Sequence, residues 1–263
     1  MATDAFLTAA LETALAAAAA AASVALRHHR RLDRVETKSD GSPVTVADRE
    51  AEAAMIAVIA KAFPAHRVLG EEGGDAGAPS SRVVSPSRWI LDPIDGTRGY
   101  ARGGVHWGPL VALEHEGEIV AGAMALPALG RTYAAAKGLG CWRDGVRCRV
   151  SEGASWSEAI VSVGEITRLL RSRRSATVSA LLQGAASVRA YGDLASVAML
   201  LDGLADAWIE GGVSVWDLAA PKILVEEAGG VFTDFEGRVT PETGDALAAG
   251  PKLHALALAV FSR

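Results

Sequence analysis

What this chain lacks narrows its function first. It has no excess of positive charge: 26 Lys and Arg stand against 31 Asp and Glu, a net charge of −5. A nucleic-acid backbone as main partner would need a basic face, so that class is set aside. Cysteine is scarce. The two present, Cys141 and Cys148, flank Trp142-Arg143-Asp144-Gly145-Val146-Arg147. Asp-Gly signals a tight two-residue hairpin turn, which sets the cysteines opposite each other with Cα atoms ~5.5 Å apart. That geometry permits a disulfide, yet one pair is no framework, and reduced thiols in a cytoplasmic protein are the expectation. Repeats and low-complexity linkers are missing too, apart from an alanine-rich start.

That start, from Ala5 to Leu26, is long and apolar but lacks the positive charge that precedes a secretory apolar segment. Asp4 comes before it, Glu12 lies inside it, and Arg27, Arg30 and Arg31 follow. Phe6, Leu7, Leu11 and Leu15 recur at helical spacing, so the expectation is an amphipathic soluble helix with no membrane role.

With 263 residues, half of them hydrophobic and 22% charged, the chain is globular and long enough for one large domain or two smaller ones. A second helix is expected from about Val46 to Phe63, with Thr45 as N-cap and Pro64 ending it. Val68-Leu69 is a short strand leading into Gly70-Glu71-Glu72-Gly73-Gly74, and Asp75 to Ser87 is a surface loop. Trp89-Ile90-Leu91 is a strand. Gly108–His115, Ile119–Leu126 and Arg131–Ala136 continue it as an antiparallel meander. Beyond Val150 the pattern changes to alternation: strand Ala159–Val163, helix Asp193–Leu204, strand Ala207–Ile209, helix Asp217 to Ala228 closed by Gly229-Gly230, strand Val231–Asp234. The expected division is an N-terminal α+β part, 1–150, and a C-terminal α/β part, 151–263.

The chemistry centres on Asp92-Pro93-Ile94-Asp95-Gly96-Thr97. Two carboxylates three apart leave a strand end; Pro93 stiffens the corner, and Gly96 permits close backbone approach. If a helix starts there, the Gly96 and Thr97 amides can face an anion. Carboxylates beside a free carbonyl and amides suit a hard cation bridging to phosphate. The plain alternative is a polar turn with aspartate caps. An Asp-x-Asp phosphatase motif has a shorter spacing, and an EF-hand loop needs ligands that residues 98–104 do not supply. Glu71 and Glu72 lie between glycines after a strand, unlike a solvated helical face. Asp217, after Trp216, starts an apolar-faced helix and reads equally as its N-cap. The six histidines offer no rival site; His66, His115 and His254 are expected at the surface.

Together Gly70-Glu71-Glu72, Asp92-Pro93-Ile94-Asp95-Gly96-Thr97, and Trp216-Asp217-Leu218-Ala219-Ala220 ending in Glu227-Ala228-Gly229-Gly230 resemble the inositol monophosphatase superfamily in order and spacing. Pro43-Val44-Thr45 with Asp48, and Asp144-Gly145, extend the likeness over essentially the whole chain. The resemblance implies a mixed α+β fold, a layered α-β-α-β-α sandwich with a largely antiparallel first sheet and a mixed second one, usually dimeric. It implies a Mg²⁺-dependent phosphomonoesterase, with Mn²⁺ as a substitute. Glu71, Asp92 and the Ile94 carbonyl would hold one ion. Asp92, Asp95 and Asp217 would hold a second, with Glu71 and Thr97 orienting water for direct in-line attack. Arg98 after Asp-Gly-Thr, and Arg189-Ala190-Tyr191-Gly192-Asp193, are most like the histidinol-phosphate phosphatase branch; an inositol-phosphate or broad sugar-phosphate phosphatase is the alternative, and a non-catalytic binding member a third. Asp95, Gly96, Thr97, Arg98, Arg189, Asp193 and Asp217 are then candidate substrate contacts. Asp193 would favour a leaving group carrying an ammonium, with Arg189 bracing it or touching the ester. Tyr100 and Pro221 depart from the usual pattern, and Pro221 requires the last long helix to start near Asp217.

Overall fold

The computed structural model describes residues 2–31, 35–38, 41, 43–76 and 85–261. Helix α1 (Asp4–His28) lies beside α2 (Val46–Ala62), with the short ribbon β1 (Glu36–Thr37) and β2 (Pro43–Val44) between them in sequence. An eight-stranded sheet follows. Its strands are β3 (Arg67–Gly70), β4 (Gly74–Ala76), β5 (Ser87–Asp95), β6 (Gly108–His115), β7 (Glu118–Leu126), β8 (Arg131–Ala136), β9 (Gly140–Arg143) and β10 (Val146–Arg147), with the small helix α3 (Thr97–Ala101) between β5 and β6. The expected meander runs consecutively from β5 to β10, and the order across the sheet is β10-β9-β8-β7-β6-β5-β3-β4. Its one parallel pair, β3 with β5, brings Gly70 level with Leu91. The stretch expected as loop is partly strand: Asp75 and Ala76 pair with β3 and Ser87 opens β5, while 77–84 lie outside the described residues.

A second sheet of five strands is mixed. It contains β11 (Ile160–Val163), β12 (Ser187–Arg189), β13 (Ala207–Gly211), β14 (Val231–Thr233) and β15 (Asp245–Ala249), with α4 (Ile166–Arg171), α5 (Ser175–Gly184), α6 (Asp193–Leu201), α7 (Val215–Glu227) and α8 (Pro251–Phe261) along the way. β11 is parallel to β12 and β13, whereas β15 is antiparallel to β13 and β14.

Three apolar clusters stack these elements into five layers. The first joins α1 and α2 to one face of the large sheet. The second places α6 and α7 between the two sheets, and the third packs α4, α5 and α8 beneath the small sheet. This is the α-β-α-β-α order that the family resemblance implies. The face α1 buries is mostly alanine: of the expected stripe, Leu7 is buried and Phe6 and Leu11 pack against the same core, but Leu15 is 37% exposed, while Ala10, Ala14, Ala17, Ala18, Ala21 and Ala25 are all buried. Small side chains let α1 approach strands that are themselves small there, at Ala121, Ala123, Ala134 and Ala136. Its length and apolar composition would suit a membrane span, but 44% of its most apolar window is buried within the protein.

Helix α7 is covered on both sides, so it shows no polar stripe; Leu218 to Val225 are all buried. It can sit this close to β7 because Gly122 has no Cβ, which would stand 2.8 Å from Ile223. Two expectations change here. The helix begins at Val215, capped by Ser214, with Asp217 in the third helical position of a capping box. Pro221 therefore falls in the second turn, where it has no N–H for the Asp217 carbonyl, and burial between two sheets outweighs that loss. At its far end Gly229, at φ +86°, and Gly230 close a Schellman motif onto Glu226 and Val225.

Other elements depart from expectation in detail. Helix α6 stops at Leu201, and Asp202 accepts from the Tyr133 hydroxyl and pairs with Arg143. His254 is buried against Thr233, not at the surface, and His66 accepts a hydrogen bond from the Trp89 indole within a ring cluster. Cys141 and Cys148 face each other as expected, the Cys148 amide donating to the Cys141 carbonyl at 2.9 Å; both are buried free thiols.

Candidate active site

The site forms where β5 leaves the large sheet and meets the N-terminal ends of α6 and α7. Side chains alternate along a strand, so residues three apart, such as Asp92 and Asp95, belong on opposite faces. A β-bulge resolves this. Asp92 pairs with Leu110, but Asp95 pairs with Gly108, so one extra residue lies between them and re-aims the second carboxylate. Pro93 suits the bulge because it has no ladder N–H to lose. Gly108 is required opposite, since a Cβ there would stand 1.9 Å from the Ala125 carbonyl oxygen. Ile94 anchors the corner in a small core with Ala25, Ala47, Tyr100 and Trp107. Tyr100 is buried, its hydroxyl donating to the Ala25 carbonyl.

Gly96 then takes a left-handed conformation, φ +81°, and α3 starts at Thr97 as the motif requires. The Thr97 hydroxyl lies 2.9 Å from the Ile94 carbonyl oxygen and 3.4 Å from Asp48 Oδ1. Asp48 is itself held by the Thr45 amide and hydroxyl, at 2.7 and 2.6 Å, in the capping box that opens α2. The α2 N-terminus is thereby tied to the β5 turn.

One group of three carboxylates stands out among the described residues. Oxygens of Asp92, Asp95 and Asp217 all lie within 4.8 Å of one another. Asp92 is 2% exposed, and its Oδ1 accepts from the Ile94 amide at 2.9 Å. Asp95 accepts the Leu194 amide at the start of α6, and Asp217 accepts the Ser214 amide at the start of α7. Two helix N-termini thus hold two of the three carboxylates. The arrangement is electrostatically costly by itself. Burial, then the charges of Glu71, Asp95 and Asp217, push the Asp92 carboxyl well above the carboxylate range. Burial and the neighbouring Glu71 charge push Asp217 up to about 6, against the Ser214 hydrogen bond that lowers it. Clustered carboxylates that resist ionising together, all offering oxygen, fit a hard divalent cation.

Glu71 lines the same cleft, yet its carboxylate is engaged differently: Lys38 Nζ donates to Glu71 at 2.8 Å and to Glu72 at 2.6 Å. Burial alone would lower the Lys38 pKa, but these two hydrogen bonds raise it on balance. The turn carrying Glu71 is shaped by Glu52, which accepts the Glu72 amide and occupies the space where a Gly70 Cβ would sit.

The cleft encloses about 400 Å³ and opens from the carboxylates toward Thr97, Arg98, Glu165, Arg168 and Glu210. Arg98 is at the rim, donating to the Gly41 carbonyl. Arg189 lies elsewhere: it is exposed at the end of β12, donates to the Val188 carbonyl, and is not among the described residues that line the cleft. Asp193 opens α6, but its side chain lies outside the described residues. Lys38, Glu165, Arg168 and Glu210 were missed as cleft residues because single charged residues in separate segments carry no local signal. Only the fold gathers them.

The inositol monophosphatase family model matches residues 5–263. The chain belongs to the inositol monophosphatase family. Histidinol-phosphatase of Mycobacterium tuberculosis is 38% identical over 226 residues, 84% of this chain and 85% of that protein. Nus factor SuhB of Xylella fastidiosa is 34% identical over 229 residues, 85% and 81% of the two chains. An inositol monophosphatase from Zymomonas mobilis, at 27% identity, superposes with a TM-score of 0.83 over 96% of this chain and 97% of that one. Membership makes the protein a phosphatase of small phosphate monoesters in a family that depends on a metal ion. The family's five-layer frame explains why the cleft sits between the sheets: β5 ends there, and α6 and α7 begin there.

Proposed function

We propose that the protein hydrolyses L-histidinol phosphate to L-histidinol and phosphate with Mg²⁺ as its metal. The observation that carries this reading is the three-carboxylate cluster under the Asp-Gly-Thr-Arg turn, taken with histidinol-phosphatase relatives 38% and 36% identical. Asp92, Asp95 and Asp217, with Glu71 and the Ile94 carbonyl, would hold the metal; Asp92 is central to the set. When bound, Mg²⁺ supplies charge neutralisation of the phosphoryl group and makes water a better nucleophile near neutral pH.

The remaining work belongs to the chain. Glu71 accepts the proton of the attacking water, and Thr97, fixed by Ile94 and Asp48, orients that water in line with the scissile bond. A P–O bond forms on one side while the P–O bond to the alcohol breaks on the other, and the departing alkoxide takes a proton from solvent water. The amides of Gly96 and Thr97 face the phosphoryl oxygens, and Arg98 at the rim adds positive charge. A homodimer and a cytoplasmic setting complete the proposal, as does the division of the chain near residue 150.

Purified protein with Mg²⁺ should release phosphate from histidinol phosphate with a kcat/KM at least tenfold above that for inositol 1-phosphate. A tenfold preference for inositol 1-phosphate overturns the substrate assignment.

A further inference from the structure

The wall of the cleft facing the metal carboxylates is the first turn of α4 laid against the end of β13, and the chain is built to allow that contact. A Cβ on Gly164 would stand 1.3 Å from Glu210 Oε2, and one on Gly211 would stand 2.6 Å from Leu169. At Gly212, φ +72°, a Cβ would stand 3.2 Å from the Arg168 side chain. The Glu165 amide donates to Glu210 Oε1 at 2.7 Å, locking the turn to the strand. Arg168 donates to the Gly212 carbonyl, and its Nε lies 3.6 Å from Glu165 Oε2.

This wall therefore carries two carboxylates, Glu165 and Glu210, against one guanidinium. Glu210 is 4% exposed, with Oε1 already shared between the Glu165 and Gly211 amides. Glu165 is different: its side chain is 52% exposed and meets Arg168 only at long range. A neutral polyol leaving group gains nothing from such a carboxylate. A leaving group with an ammonium gains a charge-assisted contact, and Arg168 loses little because Gly212 still holds it.

We infer that Glu165 is a specificity-determining residue, its carboxylate turning from Arg168 to the ammonium of a cationic leaving group. The inference rests on the histidinol phosphate reading. It places a selecting carboxylate on the α4 wall, beside the one expected of Asp193.

The test compares kcat/KM for histidinol phosphate with that for its Nα-acetyl derivative, which has lost the ammonium. Wild-type protein should favour the free amine about tenfold. In Glu165→Gln the ratio should fall below threefold, and Glu165→Asp, which keeps the charge, should restore it above threefold. A ratio that stays above threefold in Glu165→Gln overturns the role of Glu165 alone. A wild type that prefers inositol 1-phosphate to histidinol phosphate overturns the substrate reading and this inference with it.

Discussion

Replacing Asp217 by Asn should stabilise the metal-free protein while destroying its activity. Asp217 is half-buried in the carboxylate cluster, and its pKa rises from 3.8 to about 6. A carboxyl raised on folding contributes fully below its unfolded value and loses that contribution as pH climbs through the folded value. The shift of about two units corresponds to about 3 kcal/mol lost by pH 7.5. Asn removes the charge but keeps an oxygen for the Ser214 amide, so about 1 kcal/mol of capping is at risk and about 2 kcal/mol remains as gain. For a chain of this size that is a Tm increase of roughly 4–8 °C in EDTA at pH 7.5. Near pH 4, where the wild-type carboxyl is protonated, the increase should vanish. Mg²⁺ at a hundredfold its Kd should add about 2.7 kcal/mol to wild type and far less to the variant. Differential scanning fluorimetry across pH, with and without Mg²⁺, reads all three. A variant less stable than wild type in EDTA at pH 7.5 would refute the argument that these carboxylates repel each other.

Other expectations follow from single contacts. Thr97→Val removes the hydroxyl between Ile94 and Asp48, and steady-state assays should show kcat reduced at least about a hundredfold with the Mg²⁺-induced Tm shift retained. Gly164→Ala would set a methyl 1.3 Å from Glu210, and urea titration should show about 1–3 kcal/mol of destabilisation. Burial lowers the His254 pKa below 6.5, so its contribution is full above 6.5 and is lost as pH falls through the lower folded value. The Tm difference between wild type and His254→Gln, measured with Mg²⁺, should therefore shrink from pH 7.5 to pH 5.

The sequence read well wherever the physics is local. Asp144-Gly145 marks a hairpin turn, and the Cys141 to Cys148 register follows from it. Thr45 and Asp48 delimit α2 as a capping box should. The bulge between Asp92 and Asp95 was hidden, because it depends on how β6 pairs with β5. Ser214-x-x-Asp217 is a legible capping box, and it starts α7 two positions before Asp217, which puts Pro221 in the second turn. The cleft wall was not legible at all: Glu165, Arg168 and Glu210 meet only because glycines 164, 211 and 212 let α4 touch β13. Arg189 drew notice as part of a motif, yet parallel pairing with β11 leaves it exposed at the edge of the second sheet.

Catalysis requires Asp92, Asp95 and Asp217 to act together in taking a divalent cation beneath the phosphoryl group. Isothermal titration of Mg²⁺ into wild-type and Asp92→Asn protein, paired with phosphate release from histidinol phosphate, tests that directly. Wild type should show saturable Mg²⁺ binding and turnover, with both lost in Asp92→Asn. Mg²⁺ affinity and turnover near wild-type levels in Asp92→Asn would contradict it.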